Sequence, residues 1–160
     1  TIGNLLNRTL SMSRKWFDNK VPINEKFLSE NKLKNFAKIA VENYIHNFDI
    51  YKLDLAANEV LSLAINTNLY LNDNQPWTLI KDKKNLTLVK EIIYNVLEST
   101  RIIGLLLLPL LPDLSSKINQ QLGSIYKNEI KWKQQLKWGL LIRNSSLPES
   151  IPIINKLEYE

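Results

Sequence analysis

LKNFAKIAVENYIHNF, residues 33–48, decides the class of this protein. Its apolar side chains, Leu33, Phe36, Ala37, Ala40, Val41, Tyr44, Ile45 and Phe48, recur at steps of three and four, the period of a helix with one buried face; a half-buried strand alternates every second residue. Cap-forming side chains stand just upstream, so the spacing predicts a helix starting near Ser29 to Asn31 and running to about Phe48.

The same period extends in both directions. Downstream, after a break at Asp49 to Lys52, Leu53, Ala56, Ala57, Val60, Leu61, Ala64, Asn68 and Leu71 form a stripe whose small residues permit close approach of a neighbour. That helix should end within Asn72 to Gln75. Pro76 and Trp77 then open a short element, since proline suits the first turn of a helix, and a lysine cluster leads into a long helix from about Asn85 to Leu108. Ile102 to Leu111 is almost wholly apolar, but a bilayer crossing needs about 18 or more such residues and Arg101 sits at the edge, so a buried helix end is expected. Pro112 can start a fifth helix carrying Leu114, Ile118 and Leu122, with Gly123 as its left-handed stop. From Ser124 the period weakens, although Trp132, Leu136 and Trp138 could cover an end of a bundle. Upstream, Ile2, Leu5, Leu6, Thr9, Ser13, Trp16 and Phe17 share one helical side, and Asn4, Arg8, Ser11 and Lys15 another. Asp18, Asn19 and Pro22 break this pattern, leaving Ile23 to Glu30 as a connector. The expected architecture is all-α: a bundle of about five helices forming one domain over residues 1–160, with 124–160 less regular.

Composition narrows the chemistry. The 160 residues are 44% hydrophobic and 23% charged, the balance of a chain that folds around a core. With no cysteine, disulfides, thiolate metal sites and cysteine nucleophiles are excluded; with His46 as the single histidine, so is a multi-histidine zinc site. His46, at the end of its helix, reads as a surface or boundary residue. No glycine-rich phosphate loop, HIGH-like signature, HExxH helix or nucleophile elbow occurs. Ser11, Met12, Ser13, Arg14 and Lys15 have a superficial likeness to a KMSKS loop, but the leading lysine is missing and the string lies inside a helical pattern. No catalytic or metal-binding residue is therefore assigned. The net charge of +5 points towards phosphate-bearing partners. The chain opens at Thr1 within an amphipathic pattern, which leads us to expect a longer parent protein.

Three features could read a nucleic acid. Asn4 and Arg8, four residues apart, put an amide and a guanidinium on one helical face, able to satisfy the mixed donor and acceptor edge of an unpaired base. A solvated helix face has the same spacing. Trp77, beside Pro76 and preceded by Asn72, Asp73, Asn74 and Gln75, either stacks on a base or seals the end of the bundle. Lys15, Lys81, Lys83 and Lys84 are candidates for phosphate contacts or for ordinary solvated surface.

Four stretches, IGNLLNRTLSM, ANEVLSLAINTNLYLNDNQPWTL, LLPLLPDLSSKINQQLG and LKWGL, occur in an order that resembles the C-terminal α-helical anticodon-binding domain of the methionyl-tRNA synthetase family. The most specific parts are the GNxxxR opening and the series Asn68, Tyr70, Pro76 and Trp77; Pro109 and Pro112 support it more loosely. The resemblance implies that Asn4 and Arg8 read the CAU anticodon of methionine tRNA, chiefly its first base, and that Trp77 stacks on an anticodon base. Asn68, Tyr70 and Pro76 would first organise the loop and helix packing. The implied parent is an ATP-dependent methionine–tRNA ligase of the cytoplasm, whose Rossmann-type catalytic domain lies outside these residues and uses ATP, magnesium and, as a further option, zinc. The present chain would hold no cofactor, catalyse nothing alone, meet no membrane, and partner the tRNA anticodon loop and that catalytic domain. The family tail commonly carries a PLFPR-like string, whereas this chain ends SIPIINKLEYE. A helical anticodon domain of the leucyl, isoleucyl or valyl enzymes, and a helical protein-interaction module, are the competing readings.

Overall fold

Asn31 starts the helix read first: its side chain accepts a hydrogen bond from the Lys34 amide at 2.9 Å, the bond an N-cap supplies, and α2 runs over Lys32–Asp49. The computed structural model describes residues 2–124, 127, 130–149 and 151. The remainder of the SIPIINKLEYE tail lies outside them. Among the described residues the other helices are α1 (Ile2–Phe17), α3 (Leu53–Asn74), α4 (Pro76–Leu79), α5 (Leu86–Leu107), α6 (Pro112–Gln121) and α7 (Trp132–Gln135), with a 3-10 turn at Lys83–Asn85. The five expected helices are the five long ones; α4 and α7 are single turns.

The centre of the bundle is α5, buried at every residue from Ile92 to Leu107. Helices α1, α2, α3, α4 and α6 all pack on it, which explains why its apolar residues crowd the whole circumference. Gly123 closes α6 at φ +63°, the left-handed stop expected of it.

One reading changes. On α3 the buried line is Ala56, Val60, Leu63, Ala64, Thr67 and Leu71, while Leu53 and Leu61 remain 48% and 53% exposed. The expected stripe is too wide on one side: the line Leu53, Ala57 and Leu61 runs beside the line of contact, not on it. The helix end around the apolar stretch is buried, and Arg101, at the edge of that stretch, lies inside the core, 3% exposed. Its Nε and Nη2 donate to Glu98 Oε2 and Oε1 at 2.8 and 2.6 Å, and its two Nη atoms also donate to the carbonyls of Gln135 and Lys137. The Glu98 carboxylate in turn accepts the backbone N–H groups of Gly139, Leu140 and Leu141 at 2.7–3.1 Å.

This pair explains the irregular C-terminal segment. With few backbone bonds of its own, 135–141 finds its acceptors and donors on one buried ion pair of α5. Gly139 sits at φ +90°, and a Cβ there would come within 2.5 Å of Leu28, so the LKWGL stretch is shaped by packing. Trp132 and Trp138 are half-buried against the core, their indole N–H groups donating to the carbonyls of Leu105 and Phe27. Further along, a bridge between Ser146 and Lys20 and the hydrogen bond from the Leu147 N–H to the Asn19 carbonyl tie the segment to the residues after α1.

Tyr44 is fully buried, stacked on Phe48 at 5.7 Å, and its hydroxyl has no hydrogen-bond partner among the described residues. Burial pushes this phenol up to about 12, from about 10 in the unfolded chain. The folded state favours the neutral form, so stability is intact below pH 10 and drains away as pH rises towards 12, by up to roughly 3 kcal/mol from this group. Tyr44→Phe is therefore expected to be neutral or stabilising at pH 7 and to flatten the alkaline decline in urea unfolding between pH 9 and about 11.5. Equal declines in both proteins would contradict this.

Candidate functional site

The buried side of α1 is Leu5, Leu6, Thr9, Leu10 and Ser13. This fixes the helix rotation and leaves Asn4, Ser11 and Lys15 exposed with Arg8 half-buried between them. Arg8 reaches across to the last two turns of α3. Its Nη1 donates to Asn68 Oδ1 at 3.3 Å and its Nη2 to Asn72 Oδ1 at 3.1 Å, contacts spanning 60 and 64 residues of sequence.

The chain then reverses at Gln75, whose φ of +43° stops α3 and starts α4. The Gln75 N–H is used by Leu71 O, and its carbonyl accepts from Thr78 and Leu79. Pro76, at the first position of α4, is buried, so the short helix is anchored there; the next residue, Trp77, is 37% exposed. The Arg8 guanidinium carbon lies 5.5 Å from the centre of the indole, a cation–π contact.

The structure thus joins Arg8, Asn68 and Trp77, with Asn4 one turn along the same face of α1. Tyr70 belongs elsewhere. Its hydroxyl accepts from Asn95 Nδ2 at 3.2 Å, tying α3 to α5; burial, countered by that hydrogen bond, raises its pKa. Lys81, Lys83 and Lys84 are exposed on and before the 3-10 turn that follows α4, and Asp82 caps that turn by accepting the Lys84 amide.

The electrostatics follow from the partners of Arg8. Both acceptors are neutral amides, and among the described residues no carboxylate pairs with this arginine. Two of its five donors are used to aim the fork, and the positive charge is not cancelled. A planar ligand carrying acceptors, close to phosphate, suits such a group. Between α1 and α4 an open trough of about 450 Å³ is lined by Asn7, Arg8, Ser11, Met12 and Trp77.

Asn72 is the residue the sequence reading passed over, placing it in turn material. Its signal was present: it follows Asn68 by four residues, which on a helix puts two amides on one side. Met12 was also passed over. No helix among the described residues is long and apolar enough to cross a membrane.

Known proteins similar to this chain share one description. Residues 21–145 match the family model described as the anticodon binding domain of methionyl tRNA ligase. Methionine–tRNA ligase of Listeria monocytogenes serotype 4b is 33% identical over 162 residues, an alignment covering 99% of this chain and 24% of the relative. The Nostoc enzyme is 35% identical over 98% of this chain and 31% of its own length. The chain therefore spans about a quarter to a third of these relatives. In fold, it superimposes on the crystal structure of the free state of Mycobacterium tuberculosis methionyl-tRNA synthetase with a TM-score of 0.84 at 23% identity, covering 99% of this chain and 32% of that one.

Proposed function

This chain belongs to the family of anticodon-binding domains of methionyl-tRNA ligase, and from that premise we propose that its α1–α4 face recognises the CAU anticodon of methionine tRNA. The observation that carries the reading is the Arg8 guanidinium, aimed by two amide oxygens and placed beside a part-exposed indole. An anticodon base leaves its stack and lies on Trp77, and Asn4 and Arg8 hydrogen-bond its edge. Asn68 and Asn72 hold the arginine fork in place. Lys15, Lys81, Lys83 and Lys84 meet the loop phosphates and give the complex its salt dependence. The parent is a cytoplasmic methionine–tRNA ligase in which methionine activation with ATP and magnesium takes place outside these residues. Recognition here needs no cofactor.

Titration of the 160-residue chain with a CAU hairpin and with one altered at the first anticodon base tests this. The CAU hairpin should bind more tightly by about 1–3 kcal/mol, the scale of one good base-edge contact. Affinity for both should fall as salt rises. Equal affinity for the two hairpins at every salt concentration would count decisively against the proposal.

A further inference from the structure

Met12 is the chain's single methionine, and it belongs to no role derived above. It lies one turn after Arg8 on α1, half-buried: one side packs on the core and the other lines the trough that also holds Arg8 and Trp77. The trough is open to solvent along its length, and its floor extends from the indole past Arg8 to Met12, beyond the surface that one flat base on Trp77 covers. Ser11 Oγ, on the trough wall, donates its proton to the Asn7 carbonyl at 2.8 Å, so its one O–H donor is used within α1. What remains beside Arg8 is a mainly apolar floor.

We propose that Met12 forms the floor of a second base seat, which takes the nucleotide neighbouring the one stacked on Trp77. The inference rests on the anticodon reading and deepens it. A thioether is polarizable and makes favourable contacts with aromatic rings, and its unbranched chain adapts to purine or pyrimidine alike. The occupant is a nucleobase because the trough is continuous with the Arg8–Trp77 site: a strand whose one base lies on the indole delivers the next to the adjoining surface, and the uncancelled charge of Arg8 holds the strand there. Such a seat supports affinity without reading sequence, since stacking accepts every base face. Arg8 discriminates; Met12 holds.

A single methionine gives a single labelled Cε methyl signal, which makes the test direct. On addition of the CAU hairpin this signal should move upfield through the ring current of a stacked base and show nuclear Overhauser contacts to base protons. Met12→Ala should weaken binding of the CAU and the altered hairpin by the same factor, roughly three- to tenfold, leaving their ratio unchanged, and Met12→Leu should restore most of the loss. An unmoved methyl in the unaltered protein, while the hairpin binds with its CAU preference, would overturn the seat and leave the anticodon reading standing. So would a Met12→Ala loss confined to the CAU hairpin. Absence of any CAU preference in the unaltered protein defeats the anticodon reading, and this inference with it. The methyl measurement needs no substitution, so it decides even if Met12→Ala folds poorly.

Discussion

Arg101→Ala is expected to lower the unfolding free energy by about 3–5 kcal/mol, because it leaves the Glu98 carboxylate buried without its counter-charge. Total stabilities of such domains are about 5–15 kcal/mol, so the variant should be close to unfolding at body temperature. The arginine also satisfies the carbonyls of Gln135 and Lys137, which would become buried acceptors short of a donor. Arg101→Lys keeps the charge but cannot reproduce a fork that meets two carboxylate oxygens and two carbonyls, and should recover only part of the loss. Urea unfolding measures the size of the effect. Hydrogen exchange locates it: the amides of Gly139, Leu140 and Leu141, which donate to Glu98, should lose protection first. A loss below about 1 kcal/mol would mean that this ion pair is not what fastens the C-terminal segment.

Arg8→Ala should erase most of the preference between CAU and altered hairpins, a loss of about 1–3 kcal/mol in discrimination, while leaving the fold intact because the side chain is only half-buried. Arg8→Lys is the sharper variant. It keeps a positive charge for phosphate, so the salt dependence should persist, but it cannot accept direction from Asn68 and Asn72 as a planar fork does, so selectivity should still be lost. Trp77→Ala is expected to weaken both hairpins by about 1–3 kcal/mol per stacked base. Hairpin titrations at two salt concentrations separate these outcomes. If Arg8→Lys retained full CAU preference, charge alone would account for the arginine's role, and base-edge reading would have to be abandoned.

Much of this molecule was legible without coordinates, and the reasons are local. Periodicity located the five long helices, Asn31 and Gly123 marked boundaries, and Pro76 announced the first turn of α4, because capping and backbone preference act within a few residues of sequence. The exposure of Asn4, Ser11 and Lys15 followed from the rotation that Leu5, Leu6 and Thr9 impose on α1. The buried line of α3 was misjudged at Leu61 because exposure there depends on which side of the helix its neighbours occupy.

Composition and spacing by themselves determined an all-α chain with a polar face on its first helix and an aromatic residue at a proline-led turn. Only the tertiary structure decided that Arg8 and Trp77 meet, that Asn68 and Asn72 aim the arginine, and that Arg101 fastens the C-terminal segment from inside the core. The physical reason is range. Helix period and caps are set by residues three or four positions apart, whereas an arginine's partners are chosen by how whole helices pack, and that packing brought together side chains some sixty residues distant.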